Sequence, residues 1–102
     1  FLGETDGKSR MPAFGKVAVI AVVGNEDGAH HCFAEIAQAL NDVGFTIPAN
    51  GATYWVGEAM GSQDYRDLDH PHEKTQQVTR MLAANAAHLA SLLRDSPYPG
   101  ID

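Results

Sequence analysis

The chain has 102 residues, 44% of them hydrophobic and 20% charged, with one cysteine and a formal net charge of −6. That balance describes a single globular unit with a modest core and excludes a disulfide-stapled scaffold, because one thiol has no partner within the chain. No apolar run approaches the roughly 20 residues of a membrane span, and the seven scattered Lys and Arg do not form the basic footprint that nucleic acid selects.

A single unpaired cysteine points to a reducing, cytoplasmic compartment, and the charge balance leaves a small molecule as the expected partner. Residues 1–15 hold three glycines and a proline among mixed charges and read as a loop or linker arriving from a preceding helix. Their opening, FLGETDGKSR, lacks the cationic-then-apolar order of a signal peptide.

Residues 16–23, KVAVIAVV, follow with seven consecutive apolar side chains that are rich in Val and Ile. A run this short and this β-branched predicts a strand. Apolar character on both faces means cover on both faces, as in the middle of a parallel sheet. Across 29–43 the period changes to three and four, with Phe33, Ile36, Ala37, Leu40 and Val43 forming the stripe of an amphipathic helix. Asp27 is the expected cap at its start, and Gly44 the left-handed residue at its end.

FTIP, residues 45–48, reads as a second short strand that TYWV, residues 53–56, continues. Residues 57–69 read as a polar loop carrying Tyr65. Pro71 fits the first position of a last helix, where its missing amide costs nothing. That helix runs to about Leu93 and buries Val78, Leu82, Leu89, Leu92 and Leu93, and SPYPG stops it.

Strand, helix, strand, helix is the order of a right-handed parallel crossover and its continuation. Two strands cannot cover both faces of residues 16–23, so the pattern predicts part of a doubly wound sheet. In such sheets ligands bind at the carboxyl ends of the strands, which places GNEDG, residues 24–28, at the mouth of a site. Helix starts favour phosphate. Glu26 and Asp27 oppose it, and no Lys, Arg, Ser or Thr stands beside them in the sequence. A ligand here would then present an uncharged ring to backbone atoms, with the glycines allowing close approach. The alternative is that Asp27 only caps and the glycines only turn.

The string KVAVIAVVGNEDGAHHCFAEIAQALNDVGFTIP, followed by TYWVG, resembles the carboxyl-terminal half of the flavodoxin-like NADPH-dependent FMN reductases. It is most similar to the actinobacterial flavodoxin-family branch, related to the multimeric NAD(P)H quinone reductases. The resemblance implies an α/β, flavodoxin-like doubly wound parallel sheet, with 16–23 as its fourth strand and 45–56 contributing the fifth. It implies FMN and NADPH as cofactors, a quinone or another small electron acceptor, and a homo-oligomer. Carried over position by position, the flavin contacts are Val23, Gly24, Asn25, Glu26, Asp27 and Gly28. The family's phosphate-binding loop and second ring-contacting loop have no counterpart here, so the amino-terminal half of the domain must come from elsewhere. A histidine found in the quinone-reductase branch is replaced by Val43, so its role does not transfer. The rival expectation is a binding or structural module of the same geometry with no cofactor.

Other polar residues carry weaker signals. His31 and Glu35 are one helical turn apart, a two-ligand pair that a solvated helix face explains as well. His30 points away from that pair. His70, His72 and Glu73 flank Pro71, where capping and dipole matching account for them. Cys32 has no base at a nucleophile's spacing and reads as a small buried or half-buried side chain. Tyr54 and Trp55 read as packing residues at the end of the second strand.

Overall fold

The computed structural model describes residues 3–24, 28–57, 64–70 and 72–102. Val and Ile side chains pack well on a pleated surface, and they supply the centre of the first strand, β1 (Ile20–Gly24). A helix, α1 (Ala29–Asp42), leads to a second strand, β2 (Ala52–Val56). The strands are parallel, in a register from Ile20 opposite Ala52 to Gly24 opposite Val56. After a 3₁₀ turn over Tyr65–Asp67 comes α2 (Glu73–Asp95). The element order is the expected one, a parallel α/β arrangement.

The strand boundaries differ from those expected, for a reason visible in the backbone. Residues 16–23 were expected to pair throughout, yet regular pairing begins at Ile20, and Val17 joins only as an isolated bridge to Thr46. Thr46 donates to the Lys16 carbonyl and accepts from the Ala18 amide, whereas the next amide, that of Ile20, donates to Gly51. The partner segment therefore spends residues 47–50 on an excursion, with Pro48 buried and Asn50 at φ 54°. FTIP is a bridge followed by a bulge, and the strand resumes at Ala52.

Both helix starts also shift. Gly28, at φ 126°, is the N-cap of α1, so the helix has no side-chain cap. Asp27, expected there, lies outside the described residues, as does Pro71. The last helix starts at Glu73 and not at residue 71, because His72 is its N-cap, accepting from the Thr75 amide at 3.3 Å. The C-terminus of α1 follows expectation. Gly44 sits at φ 106°, its amide bonds to Asn41, and the Phe45 amide bonds to Leu40, the double closure of a Schellman motif.

Burial is thin. Ala13, Ile20, Ala29, Trp55 and Leu82 make the buried hydrophobic set among the described residues. Phe33, Ala37, Leu40, Val78, Leu89 and Leu93 are half-buried, while Ile36 and Leu92, both expected inside, are exposed. The radius of gyration is 16.7 Å, against about 13 Å for a compact domain of this length. The apolar stripes are in place but only partly covered among the described residues.

At the pole where β1 starts, the two ends of the chain are tied together. The Ile101 amide donates to the Lys8 carbonyl, and the Tyr98 and Thr46 hydroxyls share a hydrogen bond of 2.6 Å. Phe14 meets Tyr98 edge to face at 5.7 Å. Within the amino-terminal turn, one oxygen of Asp6 accepts from the Arg10 and Lys8 amides at 3.0 and 2.8 Å, and the other accepts from Arg10 Nε at 2.8 Å. The backbone amides, and then the guanidinium, pull the Asp6 carboxyl from 3.8 down to about 2. A depressed folded-state pKa means that the turn's stabilisation is complete above pH 3.8 and is lost as the pH falls through about 2. Carboxyl chemical shifts are therefore expected to show Asp6 titrating near pH 2, with the Arg10 amide resonance moving in step. A midpoint at the ordinary carboxylate value would contradict this geometry.

Candidate functional site

The carboxyl ends of the two strands open into one cavity of about 620 Å³, lined by Val23, Gly24, Trp55, Asp64, Tyr65 and Arg66. That volume lies within the usual range for small-molecule sites. Each strand contributes through its alternation. Val23 and Trp55 are register partners, so their side chains leave the sheet on the same face. Trp55 is 7% exposed, whereas Val23 is 62% exposed and presents a bare branched surface to the opening. Gly24 offers only backbone, and its carbonyl accepts from the Gly57 amide at 3.0 Å.

The far wall comes from the 3₁₀ turn. Asp64 caps the Asp67 amide while the Asp67 carboxylate accepts from the Asp64 amide at 2.9 Å, a reciprocal box that fixes the turn. This box holds Tyr65 edge to face against Trp55, ring centroids 5.5 Å apart at 61°. It also places Arg66 on the cavity, with no carboxylate in salt-bridge distance among the described residues. A planar, mostly apolar ligand bearing polar edges would meet Val23, Trp55 and bare backbone on the strand side, and Tyr65 and one cation on the side of the turn.

Of the six residues expected to touch a ligand, Val23 and Gly24 line this cavity. Gly28 stands at the head of α1 and is not part of the lining, and Asn25, Glu26 and Asp27 lie outside the described residues. The expectation that no cation stands near the mouth is corrected, because the fold brings Arg66 there from 40 positions downstream. Sequence reasoning also missed Asp64 and Tyr65 as wall residues; the acidic pair at 64 and 67 was the available signal for a self-capped turn.

The remaining candidates behave as surface or packing groups. His31 and Glu35 pair at 3.1 Å, both exposed. His72 caps α2 and Glu73 sits in its first turn. Cys32, expected to be buried, is exposed. It lies about 100° around α1 from Phe33, off the stripe that faces the sheet. Trp55 packs inside as expected, and Tyr54 lies half in solvent with its ring 5.1 Å from His30.

No protein-family profile matches the chain. It is 35% identical over 99 residues to the 8-demethyl-8-aminoriboflavin-5′-phosphate synthase of Streptomyces davaonensis, an alignment covering 95% of this chain and 38% of the synthase. The crystal structure of RosB with bound intermediate 8-demethyl-8-formylriboflavin-5′-phosphate superposes with a TM-score of 0.86 at 35% identity. That superposition covers 96% of this chain and 40% of RosB. A stretch of 84 residues is 31% identical to part of the divalent metal cation transporter MntH of Mycobacterium bovis, 79% of this chain but 12% of the transporter. Among the described residues no helix is long and apolar enough to cross a membrane. The chain thus spans less than half the length of these relatives, and over its own length it shares the fold of part of a flavin-processing enzyme.

Proposed function

We propose that this chain is the carboxyl-terminal half of a flavodoxin-like, doubly wound α/β domain in an enzyme that handles a flavin-5′-phosphate. The observation that carries the reading is the superposition of 96% of the chain on a structure holding 8-demethyl-8-formylriboflavin-5′-phosphate. The cavity supports it, since aromatic rings, a valine and bare glycine backbone suit the ring system of a flavin. Among the described lining residues one arginine is not a phosphate cradle, so on this reading the ribityl phosphate is held elsewhere in the protein.

On this reading Val23 and Gly24 contact the ring, Asn25 donates to and accepts from its pyrimidine edge, and Glu26, Asp27 and Gly28 complete the bend. Trp55 and Tyr65 shield one side from water. A bound flavin supplies two-electron chemistry, and the protein supplies position and electrostatics. The activity is then that of an FMN-dependent oxidoreductase, drawing electrons from NADPH or NADH and passing them to a quinone or another small acceptor. The Streptomyces relative, an 8-demethyl-8-aminoriboflavin-5′-phosphate synthase, favours a second reading of the same site, in which the flavin is the substrate and is altered on its ring.

One experiment separates these readings. The native protein, purified gently, is expected to be yellow or to take up FMN. Bleaching on addition of NADPH supports the oxidoreductase; a changed mass of the extracted flavin supports the modifying enzyme. A colourless protein that binds no FMN would leave only a cofactor-free module. Within the site, Gly24→Val puts a branched side chain where the cavity wall is bare backbone. It is expected to weaken FMN binding by at least about tenfold, on the order of 1.4 kcal/mol, with the circular dichroism unchanged. Unaltered FMN affinity would remove Gly24 from the contact set.

A further inference from the structure

We infer that the pole where β1 begins carries a second binding site, for a small quaternary ammonium compound. A pocket of about 350 Å³ lies there, between the end of α1 and the segment 98–101. That volume falls at the lower end of the range for small-molecule sites. Three of the lining side chains are the aromatic rings of Phe14, Phe45 and Tyr98.

The walls of this pocket are fixed in place. Phe14 packs on Gly44, where a Cβ would stand 3.0 Å from Phe14 Cδ1. Its ring meets that of Tyr98 at 68°, and the Tyr98 hydroxyl is tethered to Thr46 at 2.6 Å. Gly100, at φ 71°, lies so close to the amino-terminal turn that a Cβ would collide with the Lys8 carbonyl oxygen and stand 2.8 Å from Arg10 Cγ. The segment 98–101 is therefore pinned at a ring and at a glycine. A ligand meets surfaces already ordered, which lowers the cost of binding.

The charge of the occupant follows from the lining. Aromatic faces attract cations through the ring quadrupole. Asn41 and Gly44 place the end of α1 at the wall, and a helix end carries partial negative charge. The last turn of α1 contains Asp42 and no basic residue to offset it. Among the described lining residues none is charged, so a primary ammonium would find no carboxylate for its N–H groups. A quaternary ammonium has no N–H to satisfy and presents methyl groups to the rings. Lys8, Arg10 and Lys16 stand outside the lining, and Arg10 is held by Asp6 at 2.8 Å. The pocket lies at the far end of the strands from the flavin site, so the inference stands whether or not that site takes a flavin.

Choline titrated into the native protein, followed by nuclear magnetic resonance, tests this. The amides of Gly44, Phe45, Gly100 and Ile101 are expected to shift, and the choline N-methyl protons to move upfield under the ring currents. The uncharged isostere, with carbon in place of the ammonium nitrogen, is expected to bind at least about tenfold more weakly. Equal binding of the isostere would overturn the recognition of charge, and unmoved amides at millimolar choline would overturn the site. Tyr98→Leu is expected to weaken choline binding at least about fivefold, while Tyr98→Phe keeps it within about threefold. An equal loss in both variants would place the contact on the hydroxyl and refute the aromatic assignment. The comparison of choline with its isostere uses the parent protein, so it decides the matter even if the leucine variant does not fold.

Discussion

Trp55→Ala is expected to lower folding stability by about 3–5 kcal/mol, a large share of what a domain of this size holds. Trp55 is the bulkiest member of the small buried set. It joins β2 to the 3₁₀ turn through its edge contact with Tyr65, and it forms the floor of the cavity. Removing the indole leaves a void that neither the strand ladder nor the capped turn can collapse to fill. Urea unfolding of the native protein, followed by circular dichroism because the chain's one tryptophan is gone, measures the loss. Trp55→Phe, keeping a ring in the wall, is expected to recover most of the stability and part of the ligand affinity. A loss below about 1 kcal/mol in the alanine variant would mean that the indole is not the keystone of the packing.

Gly51→Ala is expected to cost about 2–3 kcal/mol through overpacking and damage to the ladder. Gly51 is buried at the entry to β2, and a Cβ there would stand 2.6 Å from Ile47 Cγ2 and 2.8 Å from the Pro48 carbonyl oxygen. The second contact is backbone, so relief requires movement of the excursion over residues 47–50. The Gly51 carbonyl accepts the Ile20 amide at 2.9 Å, the first bond of the regular β1–β2 ladder. Thermal unfolding is expected to show the destabilisation, and the Ile20 amide to exchange faster than in the parent. If the Ile20 amide stays equally protected, the excursion yields more easily than its geometry implies.

The two positions illustrate what was legible in the sequence. The helix over 29–43 could be read because its stripe and Gly44 both depend on local spacing, which survives into the fold. The strand over 16–23 was read correctly as extended, but the cover expected on both faces is not there, since Val19, Ala21 and Val23 are exposed and Ile20 alone is buried. Its pairing also starts late. That start depends on Pro48, Asn50 and Gly51 in the partner segment, and pairing is a property of two segments. Cys32 was misplaced because its apolar character was weighed and its angle was not. At the site, Val23 and Gly24 were legible as the end of a strand in a parallel unit. Arg66 and Tyr65 were not, because only the tertiary fold carries the 3₁₀ turn to the strand ends. The acidic pair that fixes that turn was readable in principle as a reciprocal cap.

The tie between residue 101 and residue 8 has a consequence for architecture. Polypeptide arriving at one end and departing from the other does so at the pole where β1 begins, at the far end of the strands from the ligand opening. Neither end of the described chain therefore stands at the entrance to the cavity.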